Sequence, residues 1–318
     1  MRYSIMSESE NKEKKFVSAV LYLHNDGRYI GEFIKKLHDF MSSTFENSEI
    51  ICVDDLSGDD TCDALKAAVP SGSNVTVTLI RLSCFHGLEA AMDAGTDLAI
   101  GDYVFEFDDI RYGADPDTIR KVYDTCLGGC DIVSAAPKGA GSFGARLFYR
   151  LFNRFSNSRY NMVTESFRII SRRAVNRIKG SSNSVAYRKA RYAESGLKTD
   201  TVTYECRRSG GGRDSAEKRY RMDLGIEVLL LFTDVGYKVS LWLSVFFLLL
   251  TLFGGVYSII AYIISDTADG WPSTILFMSV VFFGVFIILT IIVKYLQILV
   301  NLSIRRKHYS FESVEKLR

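Results

Sequence analysis

The sequence predicts an α/β domain followed by two membrane-spanning helices. Three observations predict it. Apolar, β-rich runs alternate with segments of helical period, two of those runs end in paired aspartates, and two long uncharged apolar runs stand towards the C-terminal end. The 318 residues are 47% hydrophobic and 24% charged, with a formal net charge of +2. That length allows one large domain or two smaller ones, with ample surface to bury. The near-neutral charge argues against a nucleic-acid binder, because neutralising phosphates needs a basic excess. Four prolines and 24 glycines exclude collagen-like and proline-rich disordered chains. A mean hydropathy of +0.07 is high for a soluble enzyme.

Residues 16–25 (FVSAVLYLHN) form an apolar β-rich run and predict a buried strand. Tyr29, Ile30, Phe33, Ile34, Leu37 and Phe40 then recur at helical spacing. Residues 49–53 (EIICV) predict a second strand that ends in Asp54-Asp55, and 57–61 predict a turn and a helix start. A third strand is predicted over 75–80, a helix over 87–98, and a fourth strand over 103–107, again ending in acids, Asp108-Asp109. Strands alternating with helices predict a mostly parallel sheet, whose ligands bind beyond the carboxyl ends of the strands. Aspartates there are either turn and cap residues or ligands of a divalent cation on a diphosphate. Cysteines 52, 62, 84, 126, 130 and 206 form no CxxC pair. The four-residue spacing of Cys126 and Cys130 suits one helix face better than a zinc knuckle.

The runs 239–264 and 275–293 carry no charge, and a bilayer core needs roughly 20 apolar helical residues. The first run is taken as one span, and 275–300 as the second. Gly254, Gly255 and Gly284 allow close helix packing, which leaves room for a homo-oligomer. The connector 265–274 has no basic residue, whereas Lys218, Arg219, Arg221 and Lys238 precede the first span and Arg305, Arg306 and Lys307 follow the second. The positive-inside rule then places both termini and the α/β domain in the cytoplasm. Residues 1–15 are polar and predict no secretory signal. Leu224, Val228, Leu231 and Phe232 predict an amphipathic juxtamembrane helix over 216–238, and 301–318 a basic tail.

Several segments resemble the family 2 glycosyltransferases of GT-A fold: VSAVLYLHND, IICVDDLSGDDT, GLEAAMDAG and GDYVFEFDDI, in that order. LFYRLFNR at 147–154, SFRIISRRAV at 166–175 and ECRR at 205–208, with two apolar runs after them, narrow the resemblance. The chain is similar to the membrane-anchored polyprenyl-phosphate group, the dolichol-phosphate-mannose-synthase-like enzymes. The resemblance covers about residues 16 to 305 and implies a GT-A domain over 16–215. It implies that Asp54 and Asp55 line the nucleotide pocket, Asp55 on the base, and that Asp108 and Asp109 hold Mg²⁺ or Mn²⁺ on the diphosphate, Asp108 also touching the nucleotide sugar. Glu165 and Arg168 are the implied catalytic residues near the acceptor. Arg207, Arg208 and Arg213 are implied to bind phosphate, which suits the planar guanidinium fork.

The chain departs from the family pattern in places. The usual DAD followed by Leu-Gln is here Asp108-Asp109-Ile110-Arg111, and VDDGS is VDDLS, with Leu56 for glycine. Tyr22 stands where proline is common and His24 where tyrosine is common. Val163 stands where relatives keep an acid, leaving Glu165 as the nearest carboxylate. The function implied is sugar transfer from a UDP- or GDP-linked donor to a polyprenyl phosphate, with inversion. Two other readings stay open: another lipid or glycan acceptor, and a silent membrane scaffold with a degenerate domain.

Overall fold

A computed structural model describes residues 12–70, 74–113, 115–139, 143–155, 162–180, 187–205, 219–220, 222–226, 271–304 and 309–317, with isolated positions over 239–253. The chain divides into two compact units: Met1–Arg150 with Ser158–Met222 and Arg306–Arg318, and Leu151–Asn157 with Asp223–Arg305.

The first unit is built on an eight-stranded sheet. Its centre is four parallel strands, β1 (Val17–Leu23), β2 (Ser48–Asp54), β3 (Val75–Leu82) and β4 (Tyr103–Phe107). Every residue of β1 and β2 is buried, as expected for strands covered on both faces. On one face, α1 (Gly27–Thr44) lays Ile30, Ile34 and Leu37 into a core with Val17, Ala19, Leu21 and Leu23. On the other face, α3 (Leu88–Leu98) packs Ala91, Met92 and Ala94 with Val20, Ile51 and Val53. Helix α2 (Thr61–Ala68) lies on the α1 face, with Leu65 and Ala68 in the same core. The alternation read from the sequence is therefore the alternation of the two cores.

The rest of the sheet adds two antiparallel strands to one that stays mostly parallel, as expected. After α4 (Pro116–Leu127) comes β5 (Ile132–Pro137), and after α5 (Phe143–Phe155) comes β6 (Phe167–Ser171). Strand β6 sits between β4 and β5 and runs antiparallel to both. The physical reason is that α5 does not carry the chain back across the sheet, so β6 enters from the edge where β5 ends. Helices α6 (Arg172–Gly180) and α7 (Arg188–Glu194) precede β7 (Thr199–Tyr204), which pairs parallel with β5. The strand order is β7-β5-β6-β4-β1-β2-β3 followed by one more strand, β8.

That last strand, Phe311–Lys316, lies in the segment expected to be only a basic tail. It runs antiparallel to β3. Ser83 N–H donates to the Ser310 carbonyl at 3.0 Å, and Leu317 N–H to the Val77 carbonyl at 2.8 Å. Glu315 pairs with Lys66 at 2.7 Å, and the Tyr309 hydroxyl donates to Asp97. The Cys126–Cys130 reading is also corrected. Helix α4 ends at Leu127, so Cys130 lies beyond it, and the Cys126 thiol donates to the Cys130 carbonyl at 3.2 Å.

In the second unit, α8 (Trp271–Ile304) is a single 34-residue helix. It starts inside the expected connector, with Pro272 in its first turn, where proline costs no hydrogen bond. Phe282, Phe283, Phe286, Leu289, Val293 and Leu296 are exposed along it. A Cβ on Gly284 would lie 2.0 Å from the Phe247 ring, so glycine is what lets the earlier apolar segment approach there. Among the described residues no helix is long and apolar enough to cross a membrane. Most of 216–238, most of the first apolar run, and 265–270 lie outside the described residues.

Candidate active site

The carboxyl ends of β1, β2 and β4 stand side by side in register, Leu23 beside Asp54 and Leu21 beside Phe107. Both aspartate pairs therefore reach one edge of the sheet, as their sequence positions imply. Their partners come from the protein itself.

Asp55 is fully buried. Its Oδ1 accepts the His86 amide at 2.8 Å, and its Oδ2 accepts the Gly87 amide at 2.8 Å and the Tyr22 hydroxyl at 3.1 Å. Its own carbonyl meets His24 Nδ1 at 2.7 Å. Burial pushes the carboxyl above the ordinary range, and the two amides and the tyrosine pull it back. Tyr22 and His24, both unusual for the family, are thus partners of Asp55. Gly87 has φ +83°, and a Cβ on it would lie 2.3 Å from the Tyr220 ring, so no other residue fits this turn. Asp54 is buried beside it, accepting the Ser57 amide at 3.3 Å and facing Arg81 at 3.9 Å. Leu56 keeps a left-handed φ of +56°, the conformation a glycine at this position would adopt freely.

At the end of β4 the charges are denser. Arg168, on β6, is fully buried and opposite Glu106. It donates to Glu106 at 2.8 Å, to Glu165 at 3.3 Å and to Asp108 Oδ2. Arg188, on α7, donates to Glu89 at 3.0 Å, to Glu106 at 2.6 Å and to Asp108 Oδ1 at 2.7 Å. Lys189 pairs with Glu165 at 3.1 Å, and the Tyr192 hydroxyl donates to Glu106 at 2.8 Å. The lattice links α3, β4, β6 and α7. Burial alone would raise the Asp108 carboxyl, but the charges of Arg168 and Arg188 outweigh it and hold it far below the usual range. Burial likewise opposes ionisation of Glu165, and Arg168, Lys189 and Ser134 overcome it.

The sequence reading reached Asp108, Glu165 and Arg168 in this lattice but not Glu89, Arg188, Lys189 or Tyr192. One signal for them exists: Glu106 stands inside the apolar run YVFEF, where a charge needs a buried partner. Asp109 lies apart, its Oδ1 capping the turn Ile110–Tyr112 through the Arg111 amide at 3.1 Å. Arg111 donates to the buried Asp26 at 2.7 Å. Arg207, Arg208 and Arg213 lie outside the described residues.

The residues present do not fit a divalent cation at Asp108. Each of its oxygens receives a guanidinium, and Ile110, 2% exposed, replaces the second acid of the usual motif. Among the described residues no group of three His, Cys, Asp or Glu side chains could hold an ion.

The sequence pattern of the family described as "Glycosyl transferase family 2" matches residues 18–185, more than half the chain. The chain belongs to that family. This family 2 glycosyltransferase has a mixed eight-stranded sheet. It is 28% identical over 196 residues to an uncharacterized glycosyltransferase of Synechocystis, covering 59% of this chain and 60% of that one. It is 26% identical over 277 residues to the bactoprenol glucosyl transferase of Shigella phage SfV, covering 84% of this chain and 88% of that one. Mannosyl-3-phosphoglycerate synthase from Rubrobacter xylanophilus is a structural neighbour with TM-score 0.48 and 18% identity, over 67% of this chain and 71% of that one.

The lattice gives a pH signature. A carboxyl held below its ordinary range stabilises the fold above that range and loses the contribution as pH falls through it. The stability difference between wild type and Glu165→Gln should be flat above the ordinary glutamate value of 4.5 and shrink below it. Urea denaturation from pH 7 to 3.5 measures this. A difference that grows on acidification contradicts the pairing.

Proposed function

We propose that this glycosyltransferase moves a sugar from a nucleotide diphosphate sugar to a polyprenyl phosphate at the cytoplasmic face of a membrane. The observation that carries this is the length of the match to the bactoprenol glucosyl transferase. At 84% of this chain it is too long to be confined to the α/β domain. The match therefore extends into the apolar C-terminal segment, in a protein named for bactoprenol.

The acceptor phosphate is ionised at neutral pH, so its oxygen attacks the anomeric carbon without needing a strong base. A single displacement inverts that centre. Glu165 fits an orienting role better than proton abstraction, because Arg168 and Lys189 already hold its carboxylate ionised and occupied. A nucleoside diphosphate leaves, and cationic side chains and backbone amides stabilise it.

The proposed anchor is a pair of helices. The uncharged run 275–293 within α8 would extend about 28 Å at 1.5 Å per residue, close to a hydrocarbon core. Strand β8 returns to the sheet of the first unit, so both flanks of the apolar segment belong to one domain, which supports an even number of crossings. Two spans with the uncharged connector outside satisfy that count and the placement of Lys and Arg.

The test is nucleoside diphosphate release in liposomes from a panel of UDP- and GDP-sugars, with and without undecaprenyl phosphate. Release that requires the lipid supports the proposal. Release that instead requires a diacylglycerol or a glycan gives the activity to another acceptor.

A further inference from the structure

We infer that this chain binds its nucleotide donor without a divalent cation on the β4 carboxylates, and that Asp108 belongs to the scaffold. This rests on the reading of the site as a donor site and departs from what the family resemblance implies for it.

Each aspartate at the carboxyl ends of β1, β2 and β4 already has a donor from the chain. Asp26 takes Arg111, Asp54 takes the Ser57 amide, Asp55 takes the His86 and Gly87 amides, Asp108 takes Arg168 and Arg188, and Asp109 takes the Arg111 amide. A magnesium site needs one or two carboxylates free to share the ion with substrate phosphates. A cation bonded to Asp108 would sit beside two guanidinium charges in a dry interior, where repulsion is weakly screened.

Those guanidiniums are not placed to move aside. Arg168 and Arg188 are at most 1% exposed, and each also serves other buried carboxylates, Arg168 serving Glu106 and Glu165 and Arg188 serving Glu89 and Glu106. Withdrawing either one from Asp108 would strand those acids. Within the lattice, three cations (Arg168, Arg188, Lys189) face four carboxylates (Glu89, Glu106, Asp108, Glu165), and Thr96 and Tyr192 add neutral donors to Glu106. So little uncompensated negative charge remains to recruit a dication. The countercharge for a diphosphate then comes from fixed cations and backbone amides rather than from a metal.

Two measurements on the full-length protein in detergent test this. The paramagnetic resonance of free Mn²⁺ is titrated with protein, alone and with saturating UDP or GDP. The nucleotide dissociation constant is measured by calorimetry in Mn²⁺ and in EDTA. The inference expects the free-ion signal to persist and the two constants to agree within about twofold. One Mn²⁺ taken up per chain and lost in Asp108→Asn or Asp109→Asn would overturn it, as would a weakening of about tenfold or more in EDTA. Asp109→Asn covers the case in which Asp108→Asn does not fold, since Asp109 lies outside the arginine lattice. A chain that binds no nucleotide in either buffer overturns the donor reading, and the Mn²⁺-alone titration still decides the metal question.

Discussion

Arg168→Ala is expected to cost the α/β domain about 3–5 kcal/mol, much of what a domain of this kind has to lose. Arg168 is fully buried and is the donor that β6 supplies to Glu106, Asp108 and Glu165 at once. Its guanidinium also lies 5.3 Å from the centre of the Tyr192 ring. Removing it leaves three carboxylates in a dry site with one fewer cation, and the stranded charge dominates the cost. The size of the loss therefore depends on what remains. Arg168→Ala combined with Glu165→Gln should lose less than the sum of the two single changes, because the second removes an acid that the first exposes. Arg168→Lys, with one ammonium in place of a fork, should fall between wild type and alanine. Chemical denaturation of the detergent-solubilised protein measures all four. A loss below about 1 kcal/mol for Arg168→Ala would mean that water reaches these acids and the lattice is not dry.

Truncation after His308 should lower Tm by roughly 4–8 °C, corresponding to about 2 kcal/mol. It removes β8, which covers the edge of β3, along with the Tyr309–Asp97 bond and the backbone bonds at Ser83 and Val77. The Lys66–Glu315 pair contributes little of this, since both side chains are about two-fifths exposed. The bared strand is an open template for pairing with other chains, so the truncated protein should also aggregate more readily on heating. A truncation with unchanged Tm would show that the edge strand adds nothing to the sheet.

The centre of the fold was legible because its physics is local. Strands β1, β2 and β4 are short, largely apolar runs buried almost throughout, and helix α1 buries a stripe whose period is written in adjacent residues. The antiparallel insertion of β6 was not legible, because a strand's direction depends on where the preceding helix delivers it. Strand β8 was hidden by composition: FESVEK is half charged and follows a long apolar helix, so it reads as a tail. Its pairing partner lies more than 200 residues earlier.

At the site, the positions of the aspartate pairs followed from the sequence but their partners did not. Asp55 and Asp108 stand where nucleotide and metal contacts were expected, and each is satisfied by donors from distant segments. Arg168 and Arg188 are 60 and 80 residues from Asp108 in sequence. No spacing rule connects residues that far apart. What a sequence can flag is the cost, an acid such as Glu106 or Glu89 in an element that must be buried, and that flag points to a compensating cation without saying which one.

The most direct test of the proposed activity is the identity of the lipid product. Purified full-length protein in liposomes would be incubated with undecaprenyl phosphate and the donor that gives turnover, and the extracted lipid analysed by mass spectrometry. The proposal expects undecaprenyl phosphate to gain the mass of one sugar residue, in equal amount to the nucleoside diphosphate released. Unchanged undecaprenyl phosphate alongside released nucleoside diphosphate would contradict it.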